Sequence, residues 1–374
     1  MIPRNFLSVF PGFLAAAILI TIIPFSTNAK QTADENIIRI GFMVSEDPGI
    51  DPLSREAIDA AQLAVDEINE KGGIGGRKAE LITRSSDGDW GSGSIKSIEL
   101  IYDEEVHAIV GSLEGRDAHL VEMAIAKSHV VYLETRATDP TLSEANLPWF
   151  FRLLPSDKQQ AEKLASEFYE KRQLSNIHLI YSDSYDDEMA ANAFLRYSRV
   201  HDLPVPSLEK FVRRSPDYEK LIQTVKYLNV DGVLIYGDPN FVIRINSEMI
   251  ESGIHLPIFT SLSILRGRQI LSDSSHTQNI SLVCPEGWQS TKSNSFRDTF
   301  SNTFGYRPGA IGAYSYDGIY VLAEALSRVV KSNDDLTSSM SRTHFVGGVT
   351  GSVQFLENGD IFDTTRMCTL ELWN

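Results

Sequence analysis

Short apolar runs alternate along this chain with longer segments in which apolar residues recur every three or four positions. Ile37 to Val44 reads as a first strand. From Ser54 to Glu70, Ala57, Ala60, Ala61, Ala64, Val65 and Ile68 share one face at a 3.6-residue period, which predicts a helix. Gly72-Gly73-Ile74-Gly75-Gly76 stops it, because glycine tolerates the left-handed backbone that a helix end needs. Strands follow at Ala79 to Thr83, Ala108 to Val110 and Val130 to Leu133, with helices at Ser94 to Asp103 and Asp117 to Lys127 between them. Strands alternating with helices predict α/β architecture, with parallel sheets covered on both faces.

A second series begins after Trp149-Phe150-Phe151-Arg152. Helices are predicted at Gln159 to Lys171, Asp187 to Val200, Pro216 to Tyr227 and Val242 to Ser252. Strands are predicted at Asn176 to Tyr181, Gly232 to Tyr236, Pro257 to Thr260 and Ile280 to Cys284. Two further helices, Ser295 to Phe304 and Ala313 to Val330, precede a change of character. Gly351 to Phe355 and Arg366 to Trp373 read as two strands joined by an Asn-Gly turn.

The first 29 residues change the picture of the compartment. Arg4 is the only charge before Lys30, Phe13 to Ile23 is apolar, and Thr27-Asn28-Ala29 offers small residues for cleavage. This order predicts a cleaved export leader over residues 1–29 and a periplasmic protein, with an uncleaved anchor as the alternative. The remaining 345 residues (374 minus 29) suggest two globular domains. A formal charge of −16 repels polyanions, so no nucleic-acid partner is expected. Cys284 and Cys368 are either a disulfide or two buried thiols. The histidines are scattered without metal-ligand spacing, so neither a metal nor a cofactor is expected. No nucleophile elbow, phosphate loop or dinucleotide fingerprint occurs, so catalysis is not expected.

Several runs resemble, in order, the leucine/isoleucine/valine-binding proteins, the type I solute receptors of ABC importers. They are Ile38 to Val44, Ala61 to Gly76, Ile109-Val110-Gly111-Ser112, Ala137-Thr138-Asp139-Pro140-Thr141-Leu142, Phe150-Phe151-Arg152, Tyr316-Asp317-Gly318 and Gly351 to Asp360. The resemblance implies two Rossmann-like lobes joined by three hinge strands. It places one lobe at 36–152 plus 286–350 and the other at 153–285 plus 351–374. It also implies capture of an amino acid or related small polar metabolite between them, for delivery to an ABC permease. The alternative is a receptor that presents its closed form to a membrane sensor.

In open α/β sheets, ligands sit beyond the carboxyl ends of the strands, which selects the loops after Val110, Leu133, Tyr181 and Tyr236. Where related chains have a hydroxyl-rich run, this one has Glu114, Gly115 and Arg116, with Gly115 at the position of a ligand-binding serine. Glu114 suits an ammonium group and Arg116 a carboxylate, unless the two charges are merely solvated at the rim. Thr138 matches a residue that binds the amino-acid head group, beside Ala137, though Asp139-Pro140 also suits a plain turn. Arg136 stands where a small residue is usual and suits an acidic ligand. Tyr185 matches a cleft position on the second lobe, and Asp238 stands where aromatics are usual, which weakens the case for a branched aliphatic ligand. Leu53 and Trp90 are candidate mouth residues or local packing, and Asp317 reads as a helix-start acid.

Overall fold

Ile37 to Val44 forms β1, an inner strand of a five-stranded sheet. The computed structural model describes residues 36–87, 91–266, 277, 279–332 and 334–370. The predicted leader and Trp90 lie outside the described residues. The first half runs β1 (Ile37–Val44), α1 (Pro52–Glu70), β2 (Lys78–Ser85), α2 (Ser92–Ile98), β3 (Ala108–Ser112), α3 (Gly115–Ser128), β4 (Val131–Glu134), α4 (Thr141–Glu144) and β5 (Phe150–Arg152). Its sheet has the order β2-β1-β3-β4-β5 and is parallel throughout. Every residue of β3 and β4 is buried, as expected of strands covered on both faces.

The second half continues with α5 (Asp157–Ala165), β6 (Ile177–Ser182), α6 (Tyr185–Val200), β7 (Ser207–Phe211), α7 (Tyr218–Leu228), β8 (Gly232–Tyr236), α8 (Pro239–Glu251), β9 (Ile258–Thr260) and β10 (Ile280–Cys284). Then come α9 (Thr291–Phe304), α10 (Ala310–Ser332), α11 (Leu336–Ser341), β11 (His344–Phe345), β12 (Val353–Gln354) and β13 (Arg366–Thr369). Six strands form the second sheet in the order β13-β10-β9-β8-β6-β7. The fold is thus two parallel-sheet α/β lobes. None of the helices among the described residues is long and apolar enough to cross a membrane.

The predicted glycine stop is present, with Gly72, Gly73, Gly75 and Gly76 all at positive φ. The small face of α1 packs against α10, and Glu56 of α1 caps α10 by accepting from the amides of Gly309 and Gly312, each at 2.8 Å. So α10 returns to the first lobe, a discontinuity that periodicity alone does not reveal.

Three expectations need correction. The two C-terminal strands do not form a hairpin. Val353–Gln354 pairs with β11, whereas Arg366–Thr369 joins β10 antiparallel, and only a Phe355–Ile361 bridge closes around the Asn-Gly turn. Asp317 lies inside α10, fully buried, and its carboxylate accepts from the Val349 and Thr350 amides at 2.9 and 2.7 Å. It anchors a chain segment rather than starting a helix. Strand β7, at the sheet edge, has no counterpart in the predicted elements because only one of its five residues is fully buried. Of the two readings open for the cysteines, the structure has the disulfide: Cys284 on β10 is joined to Cys368 on the neighbouring β13, with Cα atoms 6.0 Å apart.

The crossing segments lie side by side. The Arg152 amide donates to the Gly359 carbonyl (2.9 Å), and the buried Arg152 guanidinium pairs with Asp360. At Gly359 φ is +82° and a Cβ would stand 2.0 Å from the Phe150 carbonyl oxygen, so only glycine fits this approach. Close by in sequence, the Gly287 amide donates to Thr350 (3.1 Å).

Candidate functional site

Six strands end at one pocket. Glu114 follows β3 and Arg136 follows β4 in the first sheet. From the second sheet, Ser184, Asp186 and Asp187 follow β6, Arg213 follows β7, Gly237 and Asp238 follow β8, and Ser263 follows β9. These residues line about 380 Å³ of space, part of it open to solvent. The position obeys the carboxyl-end rule for open α/β sheets. No apolar side chain is among the lining residues.

Helix starts supply most of the polar groups. Glu114 precedes α3; its amide donates to Ser45 Oγ (2.8 Å) and its carboxylate accepts from Arg136 (3.0 Å). Asp238 caps α8 by accepting from the Phe241 amide (3.0 Å) and stands 3.9 Å from Arg213. Ser184 caps α6, accepting from the Asp187 amide (3.3 Å), while Asp187 accepts from the Ser182 hydroxyl (2.6 Å). Asp186 reaches to the first lobe and accepts from the Gly115 amide (2.9 Å). Among the described lining residues, two buried donor atoms lack a hydrogen-bond partner: Arg136 Nε and Ser263 Oγ, on residues 5% and 2% exposed.

Glu134, fully buried at the end of β4, ties the two first-lobe loops together. One carboxylate oxygen accepts from the amides of Leu113 (3.2 Å), Arg136 (2.7 Å) and Ala137 (2.9 Å); the other accepts from the Tyr132 hydroxyl. Burial raises this carboxyl to about 7, outweighing the hydrogen bonds that favour its charge. At the rim, Asp139 accepts from the Tyr185 hydroxyl (2.9 Å) and lies 3.1 Å from His119 Nε2. His119 Nδ1 is 2.9 Å from Glu122. Burial lowers the His119 value, but Asp139 and Glu122 more than compensate and hold it at about 9. Burial likewise raises Asp139, and the hydrogen bonds from His119, Thr141 and Tyr185 bring it down to about 2.

Of the residues expected from sequence, Glu114, Arg136 and Asp238 line the pocket together. Gly115 and Tyr185 stand at its edge as first residues of α3 and α6, engaged with Asp186 and Asp139 respectively. Arg116 is exposed, with its guanidinium 5.9 Å from the Tyr185 ring centre, and is not among the lining residues. Ala137 and Thr138 are buried and not among the described lining residues; Ala137 donates to Glu134, and the Thr138 carbonyl accepts from the Asp157 amide (2.7 Å). Leu53 is half-buried against the core.

Sequence reasoning passed over Ser184, Asp186, Asp187, Arg213, Gly237 and Ser263 as binding residues. For Asp186 and Asp187 the signal was present, since both follow the carboxyl end of a predicted strand, the position the carboxyl-end rule selects. Arg213 was missed along with β7.

Comparison with known proteins completes the description. The model of the family described as periplasmic binding protein matches residues 37–367. A glutamate receptor 3.1 from Oryza sativa subsp. japonica is 24% identical over 361 residues, covering 87% of this chain and 36% of that protein. The Leu/Ile/Val-binding protein BraC3 of Rhizobium johnstonii is 25% identical over 179 residues, 48% of each chain. The match thus spans less than half the length of either curated relative. Among solved structures, the branched-chain amino acid transporter substrate-binding protein LivJ from Streptococcus pneumoniae, in complex with isoleucine, superposes with a TM-score of 0.73 at 21% identity, over 90% of this chain and 97% of that one. That likeness speaks for the fold.

Proposed function

Because this chain belongs to the periplasmic binding protein family, we propose that it captures an amino acid or related small polar metabolite between its lobes and delivers it to an ABC importer. The observation that carries this reading is the polar pocket at the strand ends of both sheets, with the buried donors Arg136 Nε and Ser263 Oγ left for a ligand to satisfy. A buried unmet donor costs about 1–3 kcal/mol, so a carboxylate or carbonyl that meets both favours the bound, closed form. The relatives' names point the same way: LivJ is described with isoleucine and BraC3 as a Leu/Ile/Val-binding protein. The reading as a signalling receptor has support from the receptor names of the rice and Arabidopsis thaliana relatives.

In this proposal Glu114, Arg136, Asp238 and the α6 acids contact the ligand, while Gly115 and Tyr185 close over it from opposite sides of the rim. Ala137 and Thr138 shape the loop behind Arg136, and Arg116 steadies Tyr185 from outside. Lobe boundaries at 36–152 plus 286–350 and 153–285 plus 351–374 are supported by the strand membership of the two sheets and by the return of α10 to α1. The protein works outside the cytoplasm and binds without transforming its ligand.

A thermal-shift panel of amino acids, small carboxylates, amides and polyamines tests the reading. A ligand at about a hundredfold excess over its Kd adds about 2.7 kcal/mol to stability, a clear rise in Tm. No shift with any member of the panel rejects it.

A further inference from the structure

Among the described residues, the pocket lining carries four carboxylates, on Glu114, Asp186, Asp187 and Asp238, against two guanidiniums, on Arg136 and Arg213. The three helix N-termini that open on it would each add about half a positive charge, but they are already met from within the protein. Asp186 accepts from Gly115 at the start of α3, Ser184 from Asp187 at the start of α6, and Asp238 from Phe241 at the start of α8. A ligand carboxylate placed at the start of α3 would displace Asp186 and face Glu114. The wall beyond is acidic as well: burial raises the Glu46 carboxyl, and the charges of Glu114, Asp51, Asp117 and Asp87 raise it further.

The same lining also offers donors, although one arm of the Arg136 guanidinium already pairs with Glu114 (3.0 Å). Arg136 and Ser263 are both more than nine-tenths buried, and each turns up a donor atom without a partner. Two such donors suit one carboxylate. An aliphatic side chain would find no apolar wall in this lining, and an acidic one would meet four carboxylates.

Resting on the solute-binding reading above, we infer that the ligand is a small zwitterion with a second cationic group, as in a basic amino acid. Its carboxylate sits on Arg136 and Ser263, and its cationic side chain lies among the carboxylates of Asp186, Asp187 and Asp238.

Isothermal titration of the purified protein with L-lysine, L-ornithine, L-arginine, L-leucine and L-glutamate tests this. The expected result is one basic amino acid bound at least about tenfold more tightly than leucine or glutamate, with affinity that falls as salt is added. Asp187→Asn should weaken that binding about tenfold. If this variant has no cooperative melting transition, Asp238→Asn serves instead, since its amide oxygen still accepts from Phe241. Unchanged affinity in the folded variant overturns the inference. Leucine or glutamate binding more tightly than all three basic amino acids overturns it too, while the solute-binding reading stands. Binding of none of the five also overturns it, and the broader reading then falls only if the thermal-shift panel is silent as well.

Discussion

Asp186 and Gly115 join the two lobes directly: the Asp186 carboxylate, on the first turn of α6, accepts from the Gly115 amide at the start of α3 at 2.9 Å. A protein side chain thereby engages the amide of the residue that stands at the position of a ligand-binding serine in related chains. The same contact explains why a glycine stands there. A Cβ on residue 115 would lie 2.8 Å from Asp186 Oδ1 and 3.1 Å from Tyr185 Cε1.

Gly115→Ser is therefore expected to prise the lobes apart without harming α3. The backbone of Gly115 needs no positive φ, so the loss is confined to the interlobe hydrogen bond and its packing, about 0.5–1.5 kcal/mol. Small-angle scattering of the ligand-free protein should show a larger radius of gyration in the variant. An unchanged radius would mean that the Asp186 contact does not govern closure.

The rim network makes stability depend on pH in a definite direction. His119 is raised from 6.5 to about 9 by Asp139 and Glu122, so the folded protein holds a proton that the unfolded chain releases. This contribution is fully present below pH 6.5 and is lost as pH rises through 9. Asp139, lowered from 3.8 to about 2, adds stability above pH 3.8 that disappears as pH falls through 2. His119→Gln should flatten the Tm profile between pH 6.5 and 9 and also weaken the acid limb, because His119 is the strongest of the partners that lower Asp139. A slope that persists in this variant would assign it to another group.

Glu134 offers a second signature, of the same sign as that of His119 and opposite to that of Asp139. Its carboxyl, raised from 4.5 to about 7, favours the folded state at acid pH, so its contribution falls as pH rises from 4.5 through 7. Glu134→Gln keeps an oxygen for the Leu113, Arg136 and Ala137 amides and should remove that slope with the fold intact. Glu134→Ala leaves those buried amides unmet and should cost about 1–3 kcal/mol or more by denaturant unfolding. Ligand affinity should fall in parallel, because the Arg136 loop loses its anchor.

The Cys284–Cys368 bridge spans 84 residues and ties the edge strand β13 to β10. Its removal, by reduction or by Cys368→Ser, should cost about 2–4 kcal/mol, seen as a lower denaturation midpoint. A midpoint that ignores reductant would show that β13 is held by its ladder alone.

How much of this was legible in advance can be judged from particular elements. The Ala-rich face of α1, its glycine stop and the buried strands Gly232–Tyr236 and Ile280–Cys284 emerge from periodicity and apolar runs, because each depends on residues a few positions apart. Half-buried β7 lacks such a pattern and went unseen. In the site, the carboxyl-end rule found the loops holding Glu114, Arg136 and Asp238, yet it could not tell which of their neighbours turn inward. Ala137 and Thr138, adjacent to Arg136, are buried and not among the described lining residues.

The sequence by itself determined the alternation of strand and helix, the two α/β halves and the strand ends at which a ligand could be held. Local spacing and turn chemistry suffice for these. Only the tertiary structure decided that Asp186 meets Gly115, 71 residues away, that Arg152 pairs with Asp360 across 208, and that the two C-terminal strands part company. Such pairings minimise unmet polar groups and exposed apolar surface over the whole chain, and no window of neighbouring residues contains that information.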